Sequence, residues 1–166
     1  MASDWLKQLI DDERRRDDVQ SREAATAARK ADLVRVLGRQ LIDELRATVT
    51  RDVEDFRQEF TGDESRKIIF ECADPKGGFA VSRPAYPSVS LSVAPQLEAV
   101  GAAVGCQYYF TPNRSMPARE DRFELVFAGN AVETLQVRHR GTGQVFATAD
   151  ALSEYLLRPV FTGRPR

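Results

Sequence analysis

The chain has 166 residues, 42% of them hydrophobic and 30% charged, with a formal net charge of -1. That length and balance suit one domain with a real core and a charged surface. They exclude a membrane span, since no run approaches the roughly 20 apolar residues that cross a bilayer. Nor do they favour nucleic acid, which usually demands a basic patch or stripe, and no nucleic-acid partner is expected.

Residues 1–60 hold 12 basic and 14 acidic residues and residues 61–166 hold 12 and 11, so neither part is a charged tail. Residues 1–18 show no basic segment leading into an apolar one, as a secretory signal would. The expected location is the cytoplasm. In that reducing setting Cys72 and Cys106, both in predicted strands, read as buried thiols packed as small hydrophobes.

The opening segment is the most distinctive. Residues 5–60 contain no proline and a single glycine, Gly38. Without those breakers the chain predicts one very long helix, or two with a joint near Gln20 and Ser21. Ser3 is placed to cap it and Asp4 sits in its first turn. Trp5, Leu6, Leu9 and Ile10 have helical spacing and form a small apolar patch. The acidic and basic run at 11–18 reads as a solvated face, with pairs expected at Asp11–Arg15, Asp12–Arg16 and Arg14–Asp18. Alanines dominate 19–31; they favour helix but bury little area.

From Leu33 a strong amphipathic stripe appears. Leu33, Val34, Leu37, Leu41, Leu45, Val49, Val53, Phe56 and Phe60 recur at steps of three and four, widened by Val36 and Ile42. Gly62 is suited to close the helix in a left-handed conformation.

After Gly62 the period falls to two. Strands are predicted at 67–72, 79–83, 88–93, 104–110, 122–127 and 132–138, with turns at 74–78, Gly129-Asn130 and Gly141-Thr142-Gly143. Residues 95–103 read as a helical turn or a loop, and 111–121, with Pro112, Asn113 and Pro117, as a loop. Thr148 or Asp150 caps a final helix that presents Leu152, Tyr155 and Leu156 and that Pro159 stops.

The alternation predicts an antiparallel meander with one apolar face. The fold class is therefore α+β: a long N-terminal helix and a short C-terminal helix covering one face of a five- to six-stranded antiparallel sheet. Residues 1–32 read as a projecting or oligomerising helical arm and 33–166 as a single α+β domain. A helix over 4–60 would be about 85 Å long, whereas a domain of about 100 residues is some 35 Å across. Half the helix must then project, fold back or pack on another chain.

The chemistry-bearing residues are sparse. His139, the one histidine, lies beside Arg138 and Arg140 and reads as a surface residue near a turn. No set of ligands at metal spacing accompanies it, so neither a metal nor another cofactor is expected. A Cys–His nucleophile pair would have to assemble in space. Ser88, Ser90 and Ser92 lack a nucleophile elbow and have the spacing of a solvated strand face. The Gly77-Gly78 and Gly141-Thr142-Gly143 segments do not form a phosphate loop. Glu71, Glu124 and Glu133 supply carboxylates with nothing to show that two converge.

The leading expectation is thus a non-enzymatic interaction or scaffold protein. It self-associates through its N-terminal helix as a homo-oligomer, with a dimer favoured, or docks on a protein partner, through Trp5, Leu6, Leu9 and Ile10. The alternative is a small-molecule-binding protein, with or without catalysis. Its apolar pocket between sheet and helices would be lined by Tyr108, Phe110, Phe123 and Leu135, with Glu133, His139 or Tyr155 near the mouth.

Overall fold

A computed structural model describes residues 3–72, 75–97, 102–110, 119–127 and 134–164. Its elements are helix α1 (Asp4–Glu59), a short 3-10 turn (Glu64–Arg66), seven strands and helix α2 (Ala149–Thr162). The strands are β1 (Ile69–Glu71), β2 (Phe79–Arg83), β3 (Val89–Gln96), β4 (Ala103–Phe110), β5 (Arg119–Phe127), β6 (Leu135–His139) and β7 (Val145–Phe146). They form one sheet in the order β1 to β7, with every neighbouring pair antiparallel. The α+β class and the meander are as expected, but the strands number seven rather than five or six. The extra one, β7, pairs with β6 through Val137↔Phe146 and Arg138↔Val145. Two residues are too few to show an alternating period.

The chain divides into two compact units, Met1–Leu33 and Val34–Arg166. In the first, the helix runs without interruption through Gln20 and Ser21, as a segment free of glycine and proline allows. Its described ion pairs include Arg15–Asp12 at 3.9 Å and Arg16–Glu13 at 3.2 Å. Both are three residues apart rather than the expected four; on an exposed helix either spacing makes neighbours.

The second unit holds the core. Gly38, Ile42, Leu45, Val49 and Val53 are the buried positions of α1. They meet the inward side chains of the strands, among them Val81, Leu91, Val93, Val104, Cys106, Phe123 and Val137. Ile42, expected at the margin of the stripe, lies at its centre, whereas Val36 is exposed. Gly38 marks a close approach: a Cβ there would sit 3.1 Å from the side chains of both Leu97 and Leu125. Outward residues such as Ser92, Gln107 and Arg138 are exposed, so the pleat separates core from water as the alternation requires.

Several local readings need correction. Strand β3 continues through Pro95 to Gln96, where a helical turn or loop was expected. Its pairing with β2 ends at Val93, which leaves an edge where a proline is tolerated. Cys72 lies beyond the end of β1 and is exposed, not a buried strand thiol. Strand β5 starts at Arg119, so Arg119, Glu120 and Asp121 belong to it rather than to a loop. The rest of that loop, the Gly129-Asn130 turn and Glu133 fall outside the described residues.

The helix ends follow local chemistry. Gly62 has φ +82° just past α1. The Thr148 hydroxyl accepts from the Ala151 N–H at the start of α2. Pro159 does not stop α2, which continues to Thr162 and closes on Gly163 with φ +70°. A proline inside a helix lacks its N–H and crowds the carbonyl of the preceding turn. Tertiary bonds nevertheless tie the helix to the sheet on either side of the proline. The Tyr108 hydroxyl donates to the Leu156 carbonyl at 2.7 Å, and the Arg83 guanidinium donates to the Phe161 carbonyl at 2.8 Å.

Replacing Tyr108 by Phe removes the tertiary donor from the Leu156 carbonyl. Urea titration should show a loss of about 0.5–1.5 kcal/mol, whereas Tyr109→Phe, on the exposed face, should leave the transition nearly unmoved.

Candidate functional site

The N-terminal patch occupies the first turns of α1. Trp5 is 67% exposed, Leu9 46% and Ile10 40%, while Leu6 is half-buried. Leu6 is the sole residue of 3–32 that is not exposed. A soluble helix ordinarily owes its stability to a buried apolar face. This stretch buries none, yet it carries a tryptophan and three aliphatic side chains at one end.

The residues of the alternative pocket lie in the second unit, where they pack on one another. Tyr108 is buried and stacks on the half-buried Phe110, with ring centroids 5.9 Å apart. Phe123 is fully buried and meets His139, Phe146 and Tyr155 edge-on at 5.2, 5.8 and 5.8 Å. Leu135 is buried opposite Phe127. Of the three groups expected at the mouth, Tyr155 and His139 share the ring cluster at 5.7 Å, and Glu133 is outside the described residues.

His139 is the most informative of these, because it is not a surface residue. It is 6% exposed, as is Asp121, and the two are hydrogen-bonded through Nε2 and Oδ1 at 2.8 Å. The backbone N–H groups of Gly141 and Thr142 both donate to Nδ1, at 3.1 and 3.0 Å. Two donors on Nδ1 require a lone pair there, so the proton of the neutral ring sits on Nε2 and is donated to the carboxylate. Both ring nitrogens are thereby engaged by partners within the chain. Arg119 brings Nε to 3.6 Å from the second carboxylate oxygen, which compensates the buried charge.

Cys106 stands directly opposite Asp121 in the β4–β5 register. Burial, with the nearby Asp121 charge adding to it, pushes its thiol well above the ordinary range. A thiol held protonated is a poor nucleophile, so the geometry does not favour a Cys–His pair. The Arg138-His139-Arg140 run is split by the pleat. Arg138 reaches Glu124 at 2.8 Å on the outer face, with Arg140 at 4.0 Å, while His139 turns inward. The Arg138 hydrogen bond, with the nearby Arg charges, holds the Glu124 carboxyl below its usual value.

Among the described residues, open clefts of the second unit include two. One, of about 440 Å³, has Phe56, Leu157 and Phe161 at its base and Asp55, Glu154 and Arg158 along its rim; Phe56 and Phe161 stack at 4.2 Å. The other, of about 460 Å³, lies around Phe60, Asp63 and Arg66. Neither is lined by the residues of the alternative pocket. Among the described residues no group of three or more His, Cys, Asp or Glu is placed to hold a metal ion, and no helix is long and apolar enough to cross a membrane.

Asp121 is not among the expected site residues, because Pro112, Asn113 and Pro117 mark 111–121 as a loop; its phase, two residues before Phe123 and four before Leu125, places it on the inward side. Compared with known proteins, the chain matches no family model, no curated protein and no solved structure.

Asp121→Ala leaves a buried imidazole N–H unpaired, and chemical denaturation should register a loss of about 1–3 kcal/mol. Thiol titration gives a second check. Cys72 should react with a disulfide reagent in the folded protein, and Cys106 only after denaturant is added.

Proposed function

We propose that this protein is a non-enzymatic interaction or scaffold protein that self-associates through its N-terminal helix, with a dimer as the favoured assembly. One observation carries the reading: Trp5, Leu9 and Ile10 are exposed together on a helical stretch, residues 3–32, that buries none of its own faces. Clustered exposed apolar residues mark interaction sites more often than isolated ones do, and tryptophan is a frequent anchor at interfaces. The chemistry of the second unit points the same way. Its buried polar groups, His139, Asp121 and Tyr108, are held by partners within the chain. A cytoplasmic setting suits the free thiols of Cys72 and Cys106.

Light scattering coupled to gel filtration on the full chain should give a mass near twice that of the 18.6 kDa protomer. Trp5→Ala should weaken association by roughly 30-fold, the equivalent of a hot-spot loss of about 2 kcal/mol. A single-protomer mass for the unaltered chain at high micromolar concentration would remove the proposal.

A further inference from the structure

The N-terminal helix carries a size pattern that discriminates between ways of pairing two copies. We infer that a second copy of the chain packs antiparallel on residues 3–33, setting the large apolar side chains of its first turns on the alanines of the other's last turns; this rests on the self-association proposed above. Positions 6, 9, 13, 17, 20, 24, 28 and 31 recur at steps of three and four and so share one helical face. At one end of that face stand Leu6 and Leu9; at the other stand Ala24, Ala28 and Ala31. All of it is exposed save the half-buried Leu6.

Two features decide the direction. The first is volume. A parallel, in-register pair sets leucine on leucine at one end and alanine on alanine at the other, so the axes must splay by the difference in side-chain size. An antiparallel pair sets Leu6 opposite Ala31 and Leu9 opposite Ala28, large on small at both ends, and one interaxial distance serves throughout.

The second is charge. The middle of the face carries Glu13 and Asp17. In a parallel pair each meets its own copy, placing like charges in the seam. With Leu6 opposite Ala31, the antiparallel register sets Glu13 opposite Ala24 and Asp17 opposite Gln20, and Glu13 keeps its bond to Arg16 at 3.2 Å. The same register brings unlike charges alongside one another at the rim, Lys7 near Asp32 and Arg16 near Glu23, each pair twice by symmetry. Complementary rim charges set orientation more than affinity.

The direction is read by pulsed electron resonance on the full chain. Spin labels are placed one at a time at Gln8→Cys and Thr26→Cys, in a Cys72→Ser background with the buried Cys106 left as it is. Gln8 and Thr26 are eighteen residues apart, about five turns, and lie on the side away from the proposed seam. The antiparallel register separates two labels at position 8 by about 30 Å along the axis and two at position 26 by about 22 Å. The longer distance should therefore come from position 8. Equal and shorter distances at both sites overturn the antiparallel arrangement while leaving self-association standing. The absence of any intermolecular coupling, with a single-protomer mass for the unaltered chain, overturns both.

Discussion

Burial of the α1 stripe from Gly38 to Val53 against the inward face of the sheet is the constraint on which the second unit rests. A seven-stranded antiparallel sheet with Val81, Leu91, Val93, Cys106 and Phe123 on one side cannot leave that side in water. The stripe covers it, and the absence of a Cβ at Gly38 lets the helix backbone come close to Leu97 and Leu125. Helix α2 completes the cover through Leu152, Leu156 and Val160. Its place beside α1 is held by the Ser153 hydroxyl donating to Asp52 at 2.7 Å and by the Phe56–Phe161 stack.

Covering the sheet brings polar groups inside, and the fold gives partners to Tyr108, Asp121, His139 and Ser153, whereas the Arg83 Nε is buried without one among the described residues. The Tyr108 hydroxyl reaches a carbonyl of the turn that contains Pro159. His139 is clamped between Asp121 and two backbone N–H groups of the Arg140–Gly143 turn. A Cβ at Gly141 would sit 3.1 Å from the imidazole, so the turn closes tightly over the ring. These bonds make the histidine a fixed strut between β5, β6 and the turn that leads to β7. The same bonds occupy both ring nitrogens with partners inside the chain.

The N-terminal unit follows a different logic. Its helix is supported by alanine, by charge pairs three residues apart and by freedom from breakers, none of which needs a buried face. Trp5, Leu9 and Ile10 add nothing to that local support. Under the self-association proposed above an assembly would bury them, and the placing of bulky residues at one end of the helix and alanines at the other bears on how two copies would pair. The interaction reading thus comes from what the helix displays, while the second unit contributes the folded body.

Local signals determined much of this protein. The absence of breakers over 5–60 determined the helix, alternation determined six of the strands and their inward faces, Gly62 marked the end of α1 and Thr148 the start of α2. Each depends on contacts within a few residues, so the order of side chains along the chain suffices to specify it. The tertiary structure alone decided the rest: the pairing of His139 with Asp121, the continuation of α2 past Pro159, the exposure of Cys72 and the short strand β7. Such outcomes involve partners far away in sequence, as the Asp121 carboxylate lies eighteen residues before His139 and the Tyr108 hydroxyl forty-eight before Leu156. A hydrogen bond to a distant group leaves no periodic trace in the segment that receives it.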